Sequence, residues 1–130
     1  MARWTAFPYP HDYPFDADRV TNLWPRLHAG DAEPLPQDPA VLHAWALCHQ
    51  GHFEQAAEAG LAAGGDGLTV ANKAMTIQAT YLERGERTRL DLFMEVAALA
   101  EAQTQAQPAN ANAWYWWAVA LGRYSQGISV

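Results

Sequence analysis

His43, His49, His52 and Cys48 are the side chains in this chain whose types are best suited to hold a metal ion. His49 and His52 straddle Gly51, and His43 lies nearly two helical turns before His49. A structural zinc site needs four nitrogen or sulfur ligands at recurrent spacings. No carboxylate or second cysteine completes such a set here, so the three histidines read as turn and surface residues and no metal or other cofactor is expected. Cys48 is the only cysteine, which rules out an internal disulfide. Nothing around it argues for a lowered thiol pKa, and it reads as a small core residue. The stretch Gly60–Gly67 is glycine-rich, but it lacks the lysine and Ser/Thr of a phosphate-binding loop and reads as a connection between helices. No nucleophile elbow or paired-carboxylate signature is present, and catalysis is not expected. Glu83, Arg84, Glu86, Arg87 and Arg89 read as a solvated corner of mixed charge.

The composition narrows the partners further. The 130 residues carry a formal net charge of −6, with one lysine and seven arginines. Nucleic acids and anionic membranes both call for basic surface, so neither is expected. Half of the residues are hydrophobic, which excludes a disordered chain. Alanine is abundant while Val, Ile and Thr are sparse, which favours helix over strand. Residues 1–15 hold three prolines and several aromatics and do not resemble a signal peptide. The expectation is one cytoplasmic domain.

The elements that must position these residues can be placed from breakers and apolar spacing. Residues 1–15 read as an extended arm, because Pro8, Pro10 and Pro14 forbid a regular helix. Phe7, Tyr9, Tyr13 and Phe15 favour an arm that lies on the body. A first helix falls within residues 16–30, with Val20, Leu23, Trp24 and Leu27 on one face. Pro25 implies that it starts late or kinks. A second helix opens at Asp38-Pro39 and ends at Gly51. A third runs from about 52 to 63, a fourth from 69 to 84, a fifth from 87 to 107 and a sixth from 110 to 125. Gly64–Gly67, Gly85 and Pro108 supply the breaks.

Gly51 and Gly85 stand 34 residues apart, each between two expected helices. Around the first stand Ala44, Leu47, Gly51, Phe53 and Ala56, continuing to Ala63; the small Ala44, Ala56 and Ala63 let the two helices approach closely, and Phe53 staples the turn. Around the second, Tyr81 and Gly85 keep matching offsets. Beyond Pro108, Trp114, Trp117, Ala118 and Leu121 open a third unit that has no second helix. This pattern resembles the tetratricopeptide repeat over roughly residues 37–126. The segment 112–127 is also similar to runs in larger bacterial tetratricopeptide proteins of unassigned role, and more distantly to a helical-repeat subunit of some tripartite solute transporters. The resemblance implies an all-α, right-handed stack of about six helices spanning 1–130, with the last unit incomplete.

The resemblance also implies a concave face that binds a protein or peptide partner, as a scaffold or adaptor does. Carried over by offset, that face holds Asp38, Val41, Trp45, Cys48 and His49 from the first unit. The second adds Asn72, Met75, Ala79, Leu82 and Glu83, and the third Asn112, Tyr115, Val119 and Arg123. Lys73 is off the offset of a two-lysine carboxylate clamp, so a chaperone tail is not the expected ligand. The alternative is a solute-binding subunit with Trp45, Tyr81 and Tyr115 lining a pocket. Trp117 is expected to be largely buried. Residues 114–117 are Trp-Tyr-Trp-Trp and point all round a helix. That helix is expected to seek a second copy or further repeats, with Ile128 and Val130 offering no polar cap.

Overall fold

The structure, a computed structural model, describes residues 4–128; residues 1–3 of the expected arm, and Val130, lie outside them. Among the described residues the chain is all-α, with no strand. The helices are α1 (Ala17–Leu27), α2 (Pro39–Gln50), α3 (Phe53–Ala63), α4 (Gly67–Ile77), α5 (Glu86–Ala106) and α6 (Ala111–Ile128). A π-helical turn, Gln78–Leu82, continues α4.

The ends of these helices have local causes. The Asp16 carboxylate accepts the Arg19 N–H at 2.8 Å, and Asp38 accepts that of Ala40 at 2.9 Å. Both satisfy a first-turn donor that has no partner inside the helix. Pro39 occupies the first turn of α2, where its missing N–H costs nothing. Gly51 ends α2 with φ +89°, the left-handed conformation that glycine adopts most readily. Pro25 neither delays nor ends α1; it sits near the C-terminal end, and the N–H of His28 still reaches the carbonyl of Trp24 at 2.9 Å.

The fourth helix departs from its expected course. Its α-helical part ends at Ile77 rather than continuing to residue 84. The chain then widens into a π turn, closed by the Glu83 N–H on the Gln78 carbonyl at 3.0 Å. Gly85 lies between this turn and α5, in ordinary backbone with φ −72°.

Each helix packs on the next, and α2 also meets α4, as α4 meets α6. The core runs through Val20, Trp24, Val41, Trp45, Val70, Met75, Phe93 and Val96. Ala44 and Ala56 are fully buried between their helices. The glycine-rich stretch has a packing role: a Cβ on Gly60 would lie 2.4 Å from the carbonyl oxygen of Gly67, so α3 and α4 cross there backbone to backbone. On α6, Ala113 and Ala120 are the fully buried residues. Trp116 and Trp117 are only half-buried, which corrects the expectation for Trp117: the small residues of that face, not the indole, sit deepest. Trp114 is 48% exposed and Tyr115 56%. No helix among the described residues is long and apolar enough to cross a membrane.

Candidate binding cleft and its histidine pair

α1 lies across the part of α2 that carries Trp45 and His49. The Trp24 ring meets that of Trp45 edge-on at 5.8 Å, and the His28 ring stacks on Trp24 at 3.8 Å. His28 Nε2 faces His49 Nε2 at 3.0 Å, and His28 is only 2% exposed. His28 Nδ1 lies 3.1 Å from the Asp31 carboxylate, which can only accept, so this nitrogen carries the proton. The unprotonated Nε2 of His28 therefore accepts from the Nε2–H of His49. The result is a chain from half-buried Asp31 through buried His28 to half-buried His49.

The charges around this chain set its proton affinities. Burial, then the neighbouring His28 and Lys73, depress the His49 pKa to about 4, against a weaker opposing pull from Asp31. Burial also lowers His28, with Lys73 adding to it and Asp31 opposing. For Asp31, burial would raise the carboxyl, but the Glu33 N–H, His28 and Lys73 together hold it below its ordinary value. Burial raises the Glu33 carboxyl, and the Asn112 amide partly offsets this while Asp31 and Asp66 reinforce it.

The loop after α1 is tied down on both sides. The Trp24 indole N–H donates to the Glu33 carbonyl at 2.8 Å. The Asn112 amide, from the first turn of α6, donates to Glu33 Oε1 at 2.7 Å and to the Asp31 carbonyl at 3.1 Å. Ala32 between them is held at φ +52°, a conformation disfavoured for alanine that the surrounding bonds impose. Lys73 of α4 reaches Asp31 at 3.5 Å and stands 5.5 Å above the Trp45 ring.

Just past the end of α1 a cleft of about 530 Å³ opens between α1, α4 and α6. Leu27, Tyr115 and Trp116 form apolar walls, and Asp31, Lys73 and Asn112 bring charge and hydrogen-bonding groups to it. Convergent polar groups in an apolar cleft are the usual make-up of a binding site.

The residues expected on one concave face are thus divided. Asn112 and Tyr115 line the cleft. His49 and Trp45 are covered by α1, and Trp45 is 1% exposed. Val41 and Met75 are core residues. Asn72 turns to α5, where its amide donates to Gln103 Oε1 at 3.4 Å. These interior residues are therefore not open to a ligand in this conformation, because close packing has filled the space in front of them. On α4 it is Lys73, one residue on, that faces the cleft. Val119 is half-buried and Arg123 exposed further along α6, and Tyr81 is exposed away from the cleft. His28, Asp31 and Glu33 had no distinguishing signal in the sequence.

The candidate chemistry elsewhere is accounted for by placement. His43 is exposed and His52 stands immediately before α3 without a capping side-chain hydrogen bond, apart from the His28–His49 pair. Among the described residues no group of three or more His, Cys, Asp or Glu side chains is placed to hold a metal ion. Cys48 is buried in the core, and burial pushes its thiol up to about 11, so it stays protonated and unreactive at neutral pH. In comparisons with known proteins, the chain matched no protein-family model, no curated protein and no solved structure.

Proposed function

We propose that the chain is a tetratricopeptide-like interaction module that binds a segment of a protein or peptide partner, without catalysis or cofactor. One observation carries this reading: the chain's own α1 lies on Trp45 and His49, where the resemblance puts a ligand, and the cleft continues beyond its end. Gly51 and Gly85 lying between consecutive helices, and α2 and α6 both packing on α4, support it as well. Tyr115 offers a ring over which an apolar or cationic side chain can lie. Lys73 and Asp31 offer both signs of charge to orient it.

Selection of peptides from a displayed random library against the intact chain tests the reading. Selected peptides should bind Tyr115→Ala and Lys73→Ala chains at least about tenfold more weakly than wild type, about 1.4 kcal/mol. If the selected peptides bind both variants as tightly as wild type, the cleft is not the site.

A further inference from the structure

A second peptide-like arrangement lies apart from the cleft and shares no lining residue with it. Residues 4–7 of the arm run over the α2–α3 turn and the π turn, gripped mainly by hydrogen bonds to their backbone. Glu83 accepts the backbone N–H of Thr5 at 2.7 Å and its hydroxyl at 2.9 Å. Gln78 donates to the carbonyl of Thr5 at 2.7 Å. Glu54 accepts the N–H of Trp4 at 3.4 Å. Every polar group of Thr5 is therefore satisfied by a side chain of the helical body. Gln78 is itself 1% exposed, and among the described residues its amide nitrogen donates to Thr5 and Glu83.

The side chains add selectivity. The Phe7 ring rests on Gly51 and meets Phe53 edge-on at 5.9 Å. A Cβ on Gly51 would come within 2.4 Å of that ring, so the glycine makes the seat as well as the turn. Trp4 packs against the core. Residues 8–14 are all exposed and lead on to half-buried Phe15, with the Tyr9 and Tyr13 rings lying against Phe7 at 5.6 and 6.0 Å. The π turn is what brings Gln78 and Glu83 to the same residue, and such turns are frequent at functional sites.

We propose that this groove is a recognition site for an extended segment of a partner protein, in which Ser or Thr is followed two residues later by an aromatic and preceded by one. The chain's own arm is the resident competitor. A carboxylate that accepts both a backbone N–H and the adjacent hydroxyl selects Ser or Thr at that position. Gln78 on the carbonyl fixes the direction of the strand. Phe53 and Gly51 select the aromatic. The groove is separate from the cleft and stands or falls apart from it.

A fluorescent, end-capped peptide copying residues 4–12 is the probe, read by anisotropy on the full chain. A short tether holds the arm at an effective concentration of about a millimolar, which masks the groove in the wild type. The T5A/F7A chain should bind the probe at least about tenfold more tightly than wild type, and the milder Thr5→Val chain should show part of that gain. Glu83→Gln added to either should remove it, as should a valine at the threonine position of the probe. Tyr115→Ala should leave probe binding unchanged. Helicity by circular dichroism checks that each variant is folded. No gain in either arm variant at millimolar probe, or a gain indifferent to Glu83→Gln, overturns the proposal.

Discussion

Acidification should loosen α1 from α2, and the His28–His49 contact sets both the window and the size of the effect. In the unfolded chain a histidine titrates near 6.5, whereas in the fold His49 is depressed to about 4. The unfolded state therefore takes up a proton first as the pH falls. The stability owed to neutral His49 is complete above about pH 6.5 and is lost progressively down to about pH 4. That displacement corresponds to about 3 kcal/mol, and solvent reaching the half-buried ring reduces the expectation to about 2 kcal/mol. His28, also lowered by burial, acts in the same direction. Glu33 opposes it, because its raised carboxyl gains stability when protonated. Asp31 and Glu83, both held low, add losses only at lower pH. Urea unfolding followed by circular dichroism between pH 8 and 4 measures the slope. His49→Gln keeps an amide donor for His28 and should remove most of the loss between pH 6.5 and 4. An unchanged slope in that variant would show that carboxylates, not the imidazole pair, govern the acid limb.

Three further outcomes follow from packing. Trp24→Ala should destabilise the chain by about 3–5 kcal/mol, the usual cost of truncating a buried aromatic, while half-buried Trp117→Ala should cost about 2 kcal/mol, both read from urea unfolding. Gly51→Ala should cost about 1–2 kcal/mol through its left-handed backbone and its clash with Phe7, and should lower the amide-exchange protection of Thr5. The exposed Trp114, Tyr115 and Leu121 on α6 should drive self-association at micromolar concentration in the ultracentrifuge, and Leu121→Glu should reverse it. A wild-type chain that stays monomeric at hundreds of micromolar would refute that use of the face.

The order and number of helices were legible because their causes are local. Asp38-Pro39 opens a helix wherever it stands before an apolar periodic run, and Gly51, Gly64–Gly67 and Pro108 stop one whatever lies nearby. Cys48 as a core residue and an aromatic arm lying on the body followed from residue type and neighbours alone, although of its rings Phe7 and Phe15 are half-buried while Tyr9 and Tyr13 stay exposed. The parts that bear on binding were not legible, because each depends on residues far apart in the sequence. His28 meets His49 across 21 positions, Asn112 meets Glu33 across 79, and Glu83 meets Thr5 across 78. The same distance explains the residue slip on α4. Offset counting assumes an uninterrupted concave face, but α1 and α5 cover Trp45 and Asn72 and leave Lys73 to reach the cleft. The π turn has no marker in the sequence for a related reason: Gln78–Leu82 hold neither proline nor glycine, and Glu83 next to them is engaged with the distant arm. Helix ends are set by capping groups a few residues away, whereas which face of a helix remains open is decided by what else in the chain packs against it.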